Sequence, residues 1–261
     1  MNNKIETISF GDNELSIFPD RWGIITSIKL KWTELLYQDM YDETLMDYSK
    51  SVKWWIPYMF PNAWPLTDLE KEISWFNLPQ HGTWRINTWN KISSNKWIYV
   101  QKYNLNDYNI FPFYAEVENT VNLNESWINI SHKILNNSDN SLPISTWLHP
   151  YFRVPFGDKS EIEWKFKGWD YVKSNIDIWS NDWTITFDNP FTPLEINIPG
   201  LWTIVIEVSS SYKKFWVRSL PNKNFVCIEP VMWDEWNIVN NPKLIKPWCS
   251  DISFMKIDLK K

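Results

Sequence analysis

Seven short runs of this chain alternate apolar and polar residues, and that alternation limits the fold more than any other feature of the sequence. They are 5–10, 24–30, 96–101, 114–121, 127–135, 203–208 and 225–229, each rich in Ile, Val, Phe or Tyr. A period of two residues puts one side of a strand against a core and the other toward water, so these runs predict β-strands. No apolar period of 3.6 residues persists beyond about two turns, and 16 prolines punctuate the chain. One helical turn is expected at 39–46, and the polar segment 136–141 is expected to be a hairpin loop. The pattern predicts an all-β protein, a large antiparallel β-sandwich, organised as one domain over residues 1–261.

A sandwich needs turns, and the turns of this sequence are unusual. There are 20 tryptophans and 6 glycines, where ordinary usage of about 7% would give roughly 18 glycines. Glycine serves wherever the backbone takes a positive φ, and a Cβ clashes there. Tryptophan stands in turn contexts at Trp22, Trp32, Trp64, Trp202, Trp233, Trp236 and Trp248. Read as glycine, each becomes an ordinary turn. The pattern is that of a gene whose UGA codons specify glycine and are written here as tryptophan, with strained turns expected at Trp64, Trp233 and Trp236. Trp89, Trp97 and Trp216 lie in strand-like runs and read as genuine. The competing reading is a tryptophan-rich surface that stacks on carbohydrate.

Composition narrows the partners. A net charge of −5 with 22% charged residues lacks the basic excess expected of a nucleic-acid binder. Neither an N-terminal apolar stretch of signal-peptide type nor a run of eighteen apolar residues occurs, so a cytoplasmic protein without membrane contact is expected, as a monomer or weak homodimer. Cys227 and Cys249 form neither a metal spacing nor a disulfide framework, and both are read as free thiols.

Three histidines focus the search for chemistry. His81 lies in the loop L-P-Q-H-G-T-W-R at 78–85, which would hold a histidine and Arg85 near each other. His149 follows a strand in S-T-W-L-H-P-Y-F-R at 145–153, biased toward an extended conformation by Pro150. His132 shares the parity of Ile128, Ile130 and Ile134 and reads as a hydrogen-bonded structural residue. Glu229 ends an apolar run in F-V-C-I-E-P at 225–230; either face of that strand could be buried, and the carboxylate is either exposed or aimed into a cleft. No zinc motif, P-loop, dinucleotide fingerprint or nucleophile elbow is present.

Together, the segments at 77–85, 147–155 and 225–232, in this order and spacing, resemble the aldose 1-epimerase (galactose mutarotase-like) family, including its hexose-6-phosphate mutarotase branch. The segment 21–37 is similar to the family's first strands, and the likeness spans nearly the whole chain. The family typically has glycine where Trp22, Trp64, Trp147 and Trp233 stand. The resemblance implies a galactose mutarotase-like supersandwich and a sugar substrate, with no cofactor and no metal. It assigns His149 as the general acid on the ring oxygen and Glu229 as the general base on the anomeric hydroxyl. Around neutrality these would form a cationic acid and an anionic base, and their opposite charges would favour that state. His81 and Arg85 match positions that bind substrate. Asp170, or else Asp177, stands for the sugar-binding aspartate. Pro65 occupies a position where many relatives have arginine. A phosphate pocket could draw on Arg85, Arg153 and Arg218. The alternative to a mutarotase is a non-catalytic carbohydrate-binding β-sandwich that uses aromatic stacking.

Overall fold

The computed structural model describes residues 5–38, 55–74, 76–84, 89–156, 159–168, 183–232 and 238–260. The chain begins with an antiparallel meander, β1 (Glu6–Phe10), β2 (Asn13–Phe18), β3 (Ile24–Leu30) and β4 (Thr33–Glu34), which forms a four-stranded sheet in that order. After β5 (Tyr58–Met59) comes one short helix, α1 (Asp68–Ile73). Strands β6 (Asn90–Ser94), β7 (Ile98–Leu105), β8 (Ala115–Leu123) and β9 (Trp127–Asn136) then run back and forth as sequence neighbours.

The remaining strands are β10 (Leu142–Ile144), β11 (Trp147–Leu148), β12 (Tyr151–Arg153), β13 (Glu163–Lys165), β14 (Trp183–Asp188), β15 (Leu194–Asn197), β16 (Thr203–Val208), β17 (Lys214–Ser219), β18 (Phe225–Val231), β19 (Lys243–Ile245) and β20 (Ser250–Lys260). They complete an eight-stranded sheet, β13-β15-β16-β20-β9-β8-β7-β6, and a six-stranded sheet, β14-β17-β18-β11-β5, with β12 also on β18. Among the described residues every pairing between these strands is antiparallel. The expected all-β antiparallel sandwich is the fold observed.

The two large sheets treat their faces differently. In β8 every second residue, from Ala115 to Leu123, is buried, and the intervening residues are half-exposed. One side of that sheet therefore packs on the core, as the alternation in the sequence requires. In β18 all seven residues are buried, so both faces of this strand are covered. Val226 and Ile228 face one way, and Phe225, Cys227 and Glu229 the other. Burying a side chain such as Ile228, which is fully enclosed, stabilises the fold by roughly 1.5–3 kcal/mol, and that burial holds the strand that carries Glu229.

Two local expectations change, and a third lies outside the described residues. Segment 136–141 joins two sheets, because β9 pairs with β8 and β20 while β10 pairs with β19; its polar residues mark a crossing between layers rather than a hairpin. The turn expected at 39–46 lies outside the described residues. The helix α1, which strand-period reasoning passed over, starts at a capping box: the Thr67 hydroxyl accepts from the Glu70 N–H, and the Glu70 carboxylate accepts from the Thr67 N–H. The sequence T-D-L-E at 67–70 carries that signal.

Candidate active site

The register of the central sheet brings the candidate residues together. β11 pairs with β18 at Trp147 and Val231, and β12 pairs with the same strand at Tyr151 and Cys227. Pro150 interrupts the strand between them, yet the register is the same on both sides of the break. His149 therefore falls opposite Glu229. On the other side of β18, Trp216 lies opposite Glu229 and Arg218 opposite Cys227. Two rows thus cross the sheet on one face, Trp216–Glu229–His149 and Arg218–Cys227–Tyr151.

These rows line a cavity of about 260 Å³, together with Met59, Ala63, Trp64, Gln80, His81, Trp147 and Thr184 among others. His149 Nε2 lies 3.2 Å from a Glu229 carboxylate oxygen. The Tyr151 hydroxyl is 3.3 Å from the same nitrogen, and its ring stacks on the imidazole at 4.4 Å with an interplanar angle of 6°. The His149 amide donates to the Pro57 carbonyl and the Tyr151 amide to that of Trp55, which fixes the backbone on both sides of the imidazole.

His81 reaches the cavity through a close backbone approach. Its amide donates to the Ala63 carbonyl, and the Thr83 amide to that of Phe60. Gly82 between them has φ +72, and a Cβ there would stand 2.0 Å from the Phe60 carbonyl oxygen. Glycine is required at this point, and it lets the His81 loop lie against Phe60.

Burial dominates the electrostatics. It pulls the His149 imidazole down to about 3, with His81 and Arg218 acting in the same direction. It pushes the Glu229 carboxyl well above the usual range, against the pull of Arg218. Both shifts favour a neutral pair, with one proton on the carboxyl, over the expected imidazolium and carboxylate. The reason is that desolvation of two buried charges outweighs their mutual attraction. Transfer of that proton across the 3.2 Å contact regenerates the ionic form, so both states carry the same number of protons.

His149, Cys227 and Glu229 offer ligand atoms within 4.8 Å of one another, a nitrogen, sulfur and oxygen set of the kind zinc accepts. The Arg218 guanidinium acts electrostatically on all three, and its positive charge opposes a cation there.

The other expected residues divide plainly. Arg85, Asp170 and Asp177 lie outside the described residues. Arg153, on β12, lines a different groove with Glu34 and Tyr37, whereas Arg218, on β17, lines the cavity beside Glu229, so the two do not join in one cationic pocket. His132 is buried and stacked on Tyr58 at 3.7 Å, and among the described residues neither ring nitrogen has a hydrogen-bond partner. The hydrogen bonding expected of it is replaced by stacking. Cys227 is buried and Cys249 exposed, both as free thiols. Tyr151 and Trp216 were not assigned to the site from sequence, and Arg218 was named only for a phosphate pocket. The period of two in K-F-W-V-R-S at 214–219 puts Trp216 and Arg218 on one face, but which face becomes visible only with the pairing to β18.

The turns also sort the tryptophans. Trp22, Trp32, Trp55 and Trp248 have φ between 59° and 76°. Trp64 does not, and Trp233 and Trp236 lie outside the described residues. Trp202 is relieved by Gly200, whose φ is 82°. Trp89, Trp97 and Trp216 keep ordinary backbone conformations.

The fold is thus an antiparallel β-sandwich with an acid and an imidazole opposed on its central sheet. The aldose 1-epimerase family model matches residues 63–193, half of the chain. The chain belongs to the aldose 1-epimerase family. That match includes His81 and His149, and Glu229 lies beyond it. No curated protein matches the chain. Among solved structures, the Slr1438 protein from Synechocystis sp. PCC 6803 is similar with a TM-score of 0.85 and 19% identity, over 100% of this chain and 96% of that one. A galactose mutarotase-like protein from Clostridium acetobutylicum gives 0.78 and 16%, over 99% and 98%. A putative aldose 1-epimerase from Escherichia coli K12 gives 0.77 and 15%, over 98% and 99%. No described helix is long and apolar enough to cross a membrane.

Proposed function

We propose that the protein is a mutarotase that interconverts the α and β anomers of a hexose or hexose 6-phosphate. The observation that carries this reading is the contact of 3.2 Å between His149 and Glu229 in a cavity lined by His81 and Arg218. The ring oxygen and the anomeric hydroxyl of a pyranose are both bonded to C1. An acid and a base serving them must lie side by side, and these two do.

In the reaction, Glu229 as carboxylate takes the proton of the anomeric hydroxyl while His149 as imidazolium gives its proton to the ring oxygen. The C1–ring-oxygen bond breaks and C1 becomes an aldehyde. Rotation about C1–C2 and the reverse proton transfers close the ring on the other face. Substrate hydroxyls entering the cavity replace lost solvation, and Arg218 favours the carboxylate, so substrate binding shifts the shared proton to the imidazole. His81 supplies a hydrogen bond to a sugar hydroxyl, and Tyr151 keeps the imidazole oriented.

Anomer exchange measured by NMR on glucose, galactose and glucose 6-phosphate tests the reading. The protein should accelerate at least one, and His149→Ala should lower the rate by roughly 10²–10⁴. No acceleration on any of them, or no effect of the substitution, would sink it. The carbohydrate-binding alternative draws on Trp64, Trp147 and Trp216, which line the same cavity. However, Trp147 and Trp216 are buried and pack on each other at 4.9 Å with their rings tilted by 53°, so each indole is partly covered by the other before any ligand.

A further inference from the structure

The cavity above the proposed catalytic pair is crowded by indoles. Trp64 lies 6.3 Å from Trp147 and 6.4 Å from Trp216, and Trp147 lies 4.9 Å from Trp216. Trp147 stands two residues from His149 on the same face of the sheet. What remains is about 260 Å³, less than the roughly 300–1,000 Å³ usual for a small-molecule site.

The rest of the molecule indicates why. All five described glycines, Gly11, Gly23, Gly82, Gly168 and Gly200, have positive φ, and four of the eight other positive-φ residues are tryptophan. A bulky side chain in that region is an outlier even singly. The backbone at Trp22, Trp32, Trp55 and Trp248 is therefore shaped for glycine, in a chain with 20 tryptophans and 6 glycines. One cause acting throughout the gene accounts for all of these, and it applies equally to the pocket.

We propose that Trp64 and Trp147 stand where the protein made in its own cell carries glycine, and that removing these two indoles opens the cleft that seats a sugar ring on Trp216 beside His149 and Glu229. Trp216 stays, because it is paired within the six-residue strand β17, directly across from Glu229, where an indole offers a flat apolar surface to the C–H face of a pyranose. The inference rests on the mutarotase reading for the kind of ligand; the width of the cleft can be measured without turnover.

Two measurements test it. Peptide masses of the protein purified from its source cells, read with the codons of the gene, should show glycine from UGA at 22, 32, 55, 64, 147 and 248. Tryptophan from UGG at 64 and 147 overturns the proposal, whatever any variant does. In parallel, a chain with Trp→Gly at all six positions is compared with one substituted only at 22, 32, 55 and 248. Binding of glucose, galactose and glucose 6-phosphate is followed by ligand-observed NMR. The six-position chain should bind at least one sugar about tenfold or more tighter, a difference well outside error, and equal affinity overturns the proposal. Tight binding without anomer exchange would instead refute the mutarotase reading and leave the cleft standing.

Discussion

Glu229→Gln keeps the size of the side chain and removes its proton chemistry, so it tests both the resting state of the pair and its role. Burial raises the Glu229 carboxyl well above its usual range, while in the unfolded chain it ionises near 4.3. Between those values the native protein holds a proton that the unfolded chain has released, so stability falls as pH rises. The slope is about 1.4 kcal/mol per pH unit. Below about pH 6.5 the two buried histidines, both pulled down to about 3, work in the opposite direction and obscure it. From pH 6.5 to 8 Glu229 acts alone among the strongly shifted groups. Over that interval the parent should lose stability as pH rises, at up to that slope while the carboxyl stays protonated in the native state, read as a fall in Tm. Glu229→Gln should be nearly flat across the same window and melt higher than the parent at pH 8. Its rate of anomer exchange should fall by roughly 10²–10⁴. Melting curves by circular dichroism at the two pH values decide the matter. Parallel pH dependence of parent and variant would mean that Glu229 is already ionised at pH 6.5 and that the pair rests as an ion pair, against the argument from desolvation.

Three other outcomes are expected. Gly82→Ala places a Cβ 2.0 Å from the Phe60 carbonyl oxygen at φ +72; left-handed strain and overpacking together should cost about 2–5 kcal/mol, seen as a large drop in Tm, and a change under 2 °C would contradict the close approach. His132→Phe keeps the stack on Tyr58 and removes a group whose native pKa of about 3 makes the fold lose stability as pH falls from about 6.5; acid unfolding should move to lower pH, and an unchanged midpoint would show that His132 does not contribute. Thr67→Ala breaks the capping box of α1 and should cost about 1 kcal/mol in urea unfolding, with anomer exchange unaltered.

The long strands could be read in the sequence because their period is local. Residues 24–30 and 203–208 were expected as strands and are β3 and β16 to the residue. Strands of two or three residues, such as β5, β11 and β12, are too short to show a period and owe their conformation to the strands beside them, β18 for β11 and β12, and β11 for β5. The same reason hid part of the site. His149 and Glu229 stand out by residue type and motif, but Arg218 and Tyr151 look like ordinary strand residues until the register aligns them. The charge state of the pair was misread for a related reason: burial comes from the packing of β18 on both faces, and no local pattern around Glu229 announces it. The tryptophan excess, by contrast, is a compositional signal that the backbone repeats at four described turns, one of which, at Trp55, was not among those singled out from the sequence.

His149 and Glu229 are held opposite each other by the alignment of two strands, and this makes the site tolerant in some directions and brittle in one. Loops around the cleft can be lengthened or exchanged, as surface connections generally can. An insertion or deletion of a single residue in β18 ahead of Glu229 cannot be absorbed in that way, because it turns the strand by one position and faces Ile228 or Pro230 toward His149 in place of the carboxylate. Variation in this protein should accordingly run as substitutions and loop changes around a β18 of constant length, and a laboratory redesign of its sugar preference has the same freedom and the same limit.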